Sequence, residues 1–382
     1  MKVERFSFVA NKVWKNLDAA KSLDSDKTLV LAFCAPEMRE NESVLQTLTQ
    51  SFPKAIVVGC STAGEIRAEG IFDHSISAIA IQFKHSKLKV VVQPSGHKDG
   101  SIAVGRQLAK DLIGNGLKGV LLLSEGLGVN GSKLAEGVVE GVNEKSVVIA
   151  GGLAGDGSAF HSTWILSEGK IATDRVVAVG MYGGSLKLHH GTKGGWDKFG
   201  PEREITRSSG NVLFEIDRRP ALELYKEYLG DRASGLPATG LLFPLQIWSR
   251  DNLDRKVVRT ILAVNEKDQS LTFAGDVPVG HLAQLMRANF DRLIDAAGVA
   301  AETVTTQRAA GVESASIAIS CVGRRLVLGP RADEEIEALR VALGTDNFLG
   351  FYSYGELGPA FQGSPCELHN QSMTILTLEE AA

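Results

Sequence analysis

The sequence predicts an α/β protein of two domains, each with a mixed parallel and antiparallel sheet flanked by helices. Three observations carry this. Short apolar runs alternate with helical patterns through the first half. After residue 151 strands follow one another without long helices between them, which a purely doubly wound sheet would not do. The length of 382 residues exceeds what one ordinary core supports.

Taken in order, TLVLAF at 28–33 reads as a buried strand, and 40–51 as a helix with Val44, Leu45 and Leu48 at helical spacing, stopped by Pro53. AIVVGC at 55–60 is the next buried strand. Segments 77–83 and 88–93 read as two strands joined by the polar turn 84–87. A helix at 101–113, the strand 120–123, a helix at 131–142 and the strand 147–150 form a β-α-β unit with a crossover of sufficient length. Strands follow at 163–166, 176–181 and 186–190. A domain boundary falls near 211–217, dividing the chain into 1–215 and 216–382. Beyond it come a helix at 221–230, a Gly- and Pro-rich loop at 231–244, and strands at 257–264 and 271–273. A helix at 279–297, a strand at 314–321, a helix at 333–343 and a last strand at 372–378 complete the chain.

Apolar residues make up 44% and charged residues 23%, so the chain can bury cores and is not disordered. The net charge of -4 is interspersed, which gives no basic face for nucleic acid and no polybasic segment for a membrane. No apolar run reaches the roughly 20 residues of a membrane helix, and the N-terminus lacks a signal-peptide core, so a cytoplasmic protein is expected. Cys34, Cys60, Cys321 and Cys366 show no metal-ligand spacing and read as buried thiols.

The 41 glycines concentrate in turns. GLGVNG at 126–131 matches G-x-G-x-x-G between a strand and a helix, but the following strand does not end in the acidic residue of a dinucleotide site, so a plain strand-to-helix turn is the stronger reading. GGLAGDG at 151–157 holds Gly152 and Asp156. GCSTAGEI at 59–66 and FYSYGELG at 351–358 echo each other: an apolar strand, a hydroxyl residue, Gly-Glu, then an aliphatic. The first is not the G-x-S-x-G of a nucleophile elbow, and no histidine can be placed beside Cys60 from sequence. C-x-x-H at Cys366 to His369 is not the C-x-x-C-H of covalent haem.

Taken together these motifs resemble the FIST family, through VVGCSTAGEI, GGLAGDG and the HHG turn at 189–191 in the N-terminal half, and RRPALELY, VPVGHLA, SCVGRR, FYSYGELGP and ELHNQSM in the C-terminal half. The resemblance implies a sensory module that binds a small ligand and works through a signalling partner. Within the family the nitric-oxide-sensing haemoproteins of the NosP type share this two-domain layout. They imply haem as a cofactor and a histidine kinase or a cyclic-di-GMP enzyme as the partner. His190 is then the candidate axial ligand. A ligand pocket shared by the halves would draw on Ser61, Thr62, Gly64, Glu65, Gly152 and Asp156 from one side, and Arg324, Tyr354, Gly355, Glu356, His369 and Asn370 from the other. An amino-acid or metabolite sensor without haem, and an enzyme with a polar site around Cys60, Glu65 and Glu356, are the alternatives.

Overall fold

A computed structural model describes residues 1–9, 13–253 and 255–381, with the side chains of 97–99 also left aside. It shows the α/β class with mixed sheets, and an organisation beneath it: one sheet pattern occurs three times. In each, a central strand has a parallel neighbour on one side and an antiparallel neighbour on the other. The central strands are Thr28–Cys34, Leu117–Ser124 and Ser314–Cys321. Their parallel partners are Ile56–Ser61, Val148–Leu153 and Phe348–Ser353. Their antiparallel partners are Ile76–Gln82, Arg175–Tyr182 and Met373–Glu380. A fourth strand continues each row: Lys2–Val9, Lys87–Pro94 and Leu186–Lys193, with Val13–Lys15 added beyond the first of them. The crossover helices that parallel pairing requires are Glu42–Gln50, Gly131–Val142 and Ala332–Leu343.

The repeats exchange strands in a cycle. The hairpin Glu65–Arg67/Gly70–Phe72 leaves the first repeat and pairs with Phe348–Ser353 of the third. The hairpin Gly355–Pro359/Cys366–His369 leaves the third and pairs with Val148–Leu153 of the second. The hairpin Ile165–Ser167/Lys170–Ala172 leaves the second and pairs with Ile56–Ser61 of the first. Each repeat therefore lends an edge strand to the next, and backbone groups that would stand open at those edges are paired.

Alternation along the strands builds two kinds of core. Leu29, Leu31 and Phe33 join Leu121, Leu123, Ile317 and Ile319 in a central core where the three sheets meet, and Phe33 lies 4.5 Å from Phe351. Val30, Ala32 and Cys34, one step out of phase, face the helical layer. Both faces are covered, which is why these strands read as unbroken apolar runs.

Two expectations need correction. The segments around 77–83 and 88–93 are not a hairpin. Ile76–Gln82 stays in the first sheet, and Lys87–Pro94 starts the second by pairing with Arg175–Tyr182. The polar turn between them is held by Glu380, whose carboxylate accepts from the N–H groups of Lys84, His85 and Ser86. These bonds outweigh its burial and hold its pKa down at about 2. The helix expected at 279–297 is instead a strand, Leu282–Arg287, then a helix, Phe290–Thr305. Ala283 and Leu285 alternate into a core while Asn289 caps the helix, its side chain accepting from Arg292 N–H. That strand belongs to an eight-stranded antiparallel sheet inserted into the third repeat, with its own core around Phe273 and Tyr225.

Candidate functional site

The three parallel strands end at one point, and their turns close a ring of backbone hydrogen bonds. Ala63 N–H donates to Tyr352 O (2.8 Å), Tyr354 N–H to Leu153 O (3.2 Å) and Gly155 N–H to Ser61 O (3.0 Å). Each bond joins equivalent positions of successive repeats. The sequence echo of 59–66 and 351–358 is therefore structural: Thr62 corresponds to Ser353, Gly64 to Gly355 and Glu65 to Glu356. The third counterpart of the glutamates is Ile165, since Ile165 faces Cys60 as Glu65 faces Phe351 and Glu356 faces Gly152.

Both glutamates are fully buried. Thr62 Oγ1 lies 2.6 Å from Glu65 Oε1 and Ser75 Oγ 2.6 Å from Oε2. Ser353 Oγ lies 2.7 Å from Glu356 Oε1 and Ser372 Oγ 2.9 Å from Oε2. Burial raises each carboxyl to about 8, against the opposing pull of these hydroxyls, because the charged form loses its water. This favours the neutral form of both acids at neutral pH. The unfolded carboxyls titrate near 4.5. A folded pKa above the unfolded one adds stability at low pH and loses it between about 4.5 and 8. The expected slope is about 1.4 kcal/mol per pH unit per group at most. Urea midpoints between pH 5 and 8 should fall for the wild type and flatten in Glu65→Gln/Glu356→Gln. Equal slopes in the two proteins would show that these carboxyls ionise in the folded state.

Beside the ring a cleft of about 400 Å³ opens, walled by Thr62, Ala63, Gly64 and Glu65 on one side, Glu37 and Arg39 on another, and Asp156, His161 and Ser162 across from them. Asp73 and His74 complete it. Asp156 accepts from the Tyr354 hydroxyl and from the N–H groups of His161 and Ser162. Burial pushes its pKa up, but these bonds win and hold it below the ordinary value. Arg39 donates to Ser162 Oγ at 2.8 Å. From the third repeat Arg325 donates to Ala63 O (2.7 Å) and grips Asp73 bidentately (2.8 and 2.6 Å). Carboxylates of Glu37, Glu40, Asp73 and Asp156 thus face a single lining guanidinium, Arg39.

Of the residues singled out from sequence, Thr62, Gly64, Glu65 and Asp156 line this cleft, and Tyr354 meets it through Asp156 while stacking on Phe160 at 4.5 Å. Ser61 supports it from beneath, accepting from Trp164 N–H. Gly152 and Gly355 lie against each other's strands, where a Cβ would strike Ile319 and Leu368 respectively. Glu356 sits at the equivalent place of the next repeat. Arg324 is fully buried in an ion pair with Glu335 and donates to Gly194 O and Leu293 O. His369 Nε2 meets Gly358 O at 2.9 Å. Asn370 is buried, with neither side-chain polar atom partnered among the described residues. Sequence reasoning picked Arg324 and passed over Arg325. It also missed Glu37, Arg39, Asp73 and His74, which stand on connections with no motif of their own.

His190 is buried, and desolvation with the nearby His189 and His369 lowers its pKa to about 4. It lines neither the cleft beside the ring nor the cavity between the inserted sheet and the repeats. Its strand is pressed onto the helix Phe290–Thr305, where a Cβ on Gly191 would lie 2.2 Å from Ala300 O. On the other face Leu188 fills the space over Gly119. This packing does not fit a haem. Among the described residues no group of three metal-ligating side chains could hold a metal ion. Cys60 is fully buried and its thiol is pushed far upward by desolvation and Glu65, the reverse of an activated nucleophile. In the 126–131 turn, Glu125 takes the N–H groups of Leu127 and Gly128, so the backbone that would cradle a phosphate is already occupied.

Fold and cleft define a class: an α/β protein whose repeats converge beside a polar cleft. The lining of that cleft comes from the N-terminal half alone, and the C-terminal half reaches it only through Arg325 and Tyr354, so the pocket expected to be shared by both halves is not what the structure forms. The FIST N domain matches residues 28–219 and the FIST C domain matches 221–359. The chain belongs to the FIST family, whose domains are sensory domains of signal transduction. It is 30% identical over 88 residues to an uncharacterised protein of Methanocaldococcus jannaschii, covering 23% of this chain and 17% of that protein. An overlay on PurLQS from Thermotoga maritima reaches a TM-score of 0.19 at 10% identity over 99% of this chain and 72% of the other, too loose to indicate a shared fold. No helix among the described residues is long and apolar enough to cross a membrane.

Proposed function

We propose that this protein is a sensor that binds a small amine-bearing metabolite, such as an amino acid, in the cleft at the ring. One observation carries the reading: the cleft is lined by Thr62 and Glu65 of one repeat and Asp156 of the next, while the Arg325–Asp73 clamp ties it to the third. A ligand there meets one joint directly at Ala63 and a second through Thr62 and Asp156, the neighbours of Ser61 and Gly155. The carboxylate-rich wall suits an ammonium, and Arg39 suits a carboxylate. Binding favours one arrangement of the turns over another, and a ligand can shift such an equilibrium only by its difference in affinity for the two. The match to sensory domains over most of the chain supports an output by contact with a signalling protein, and the partner we propose is a histidine kinase or a cyclic-di-GMP enzyme. The haem and nitric-oxide form of the reading is the weaker one, since the packing at His190 has no room for a macrocycle.

The test is calorimetric titration with the twenty amino acids and a set of simple amines. Saturable heat with at least one, weakened about tenfold or more in Asp156→Asn through loss of a charged partner, supports the reading. No heat from any of them, with a Soret band after haem reconstitution that survives His190→Ala, replaces it with haem bound elsewhere.

A further inference from the structure

A second cavity lies away from the ring, about 490 Å³ between the inserted sheet and the repeats. Three separate parts of the chain wall it. The inserted sheet contributes Trp248, Val257 and Arg259, the helix Gly131–Val142 contributes Lys133 and Val139, and the hairpin of the third repeat contributes Glu367 and Leu368.

Arg259 is the unusual member. It is only 5% exposed. Its guanidinium is spent on backbone carbonyls: Nε donates to Asp276 O (3.0 Å), and Nη1 to Leu368 O (3.0 Å) and Val258 O (3.3 Å). Among the described residues no carboxylate lies within ion-pair distance, and these three bonds leave Nη2 without a protein partner. Its burial lowers its pKa to about 10, against the opposing pull of the more distant Glu367 and Asp276 carboxylates. A buried charge without a direct ion-pair partner is costly, and the neighbouring Arg255 adds to that cost. Arg255 is taken by Glu367 at 2.8 Å, and Lys133 by Glu136 at 2.7 Å. Beside these charges stand apolar surfaces: Trp248, Ile247, Val257 and Leu368.

We propose that this cavity is a second site, for a small oxyanion carried on a planar apolar body, with the anion on Arg259 and the body against Trp248. A guanidinium presents a fixed fork of donors that suits carboxylate or phosphate. Such a ligand would join the inserted sheet to the second repeat and to the hairpin from the third. The site is independent of the cleft at the ring, and either can fail without the other.

The probes are benzoate, inorganic phosphate and neutral benzamide, titrated calorimetrically into the full chain. Benzoate is expected to bind saturably and benzamide not. Arg259→Met is expected to weaken benzoate at least about tenfold. Val139→Trp, which fills the cavity and leaves Arg259 intact, should also abolish binding while the circular dichroism stays native. It stands in if Arg259→Met does not fold. Phosphate binding alone would assign the site to a phosphate and not a carboxylate, keeping the oxyanion and removing the apolar body. No saturable binding of benzoate or phosphate, or benzoate binding unchanged in Val139→Trp, would overturn the proposal.

Discussion

Gly151→Ala is expected to yield a protein that does not fold. A Cβ built on Gly151 falls 1.8 Å from the carbonyl oxygen of Leu122 on the neighbouring strand. The same holds at the equivalent positions of the other repeats, with Gly59 at 1.9 Å from Ala32 O and Gly350 at 2.1 Å from Ala318 O. In each case the obstacle is main chain, which cannot rotate aside as a side chain does. Separating the two strands would break the parallel ladder and pull on the ring one turn further on. The cost should exceed about 4 kcal/mol, beyond the usual range for a single substitution, from a total stability of only about 5–15 kcal/mol. Gly184 has open space around it, so Gly184→Ala is the control and should be near neutral. Soluble yield and a thermal melt decide the matter. A Gly151→Ala protein melting within a few degrees of the wild type would show that the strands separate more easily than their geometry indicates.

Arg324→Met is expected to cost about 3–5 kcal/mol, because it leaves the Glu335 carboxylate buried without its partner. Both side chains are fully buried, and Arg324 also ties the helix Phe290–Thr305 and the Gly194 turn to the third repeat through its bonds to Leu293 O and Gly194 O. Glu335 in turn is reached by Tyr352 and Ser320 hydroxyls at 3.2 Å each. Arg324→Met/Glu335→Gln should recover part of the loss by removing the stranded charge. Urea midpoints measure both. A ligand-contact role for Arg324 would instead leave the midpoint of Arg324→Met unchanged and alter only binding.

Most of the elements were legible because their signals are local. TLVLAF and AIVVGC are buried on both faces, and short continuous apolar runs announce this. The helix Gly131–Val142 begins at Asn130, whose side chain accepts from Lys133 N–H, and that cap is readable from the residue type. The two misread segments failed for local reasons too. Leu282–Arg287 carries apolar residues that fit either period over so short a span, and the polar turn at 84–87 looks like a hairpin turn whichever sheet the next strand joins.

The candidate site was half legible. Thr62 and Glu65 were visible because the same pattern occurs again at Ser353 and Glu356, and a repeated motif implies a repeated structure. The third occurrence was hidden: Ile165 stands in place of the glutamate, and eight residues that wrap around Asp156 separate it from the ring. Arg324 and Arg325 are adjacent and chemically alike. A helix turns successive residues roughly 100° apart, so one was sent into the core and the other to the Asp73 clamp.

The sequence by itself determined the class of fold, the order and identity of most strands and helices, and the family to which the chain belongs. Apolar spacing, caps and turn residues act within a few positions and need no partner to be read. Only the tertiary structure decided which sheet each strand enters, that three repeats lend strands in a cycle, and that their turns close a ring beside a polar cleft. Strand pairing is set by backbone hydrogen bonds between segments hundreds of positions apart, as when Glu65–Arg67 meets Phe348–Ser353. Those bonds use the same N–H and C=O groups at every residue, so no side-chain pattern specifies the partner until the apolar faces of all three sheets are packed together.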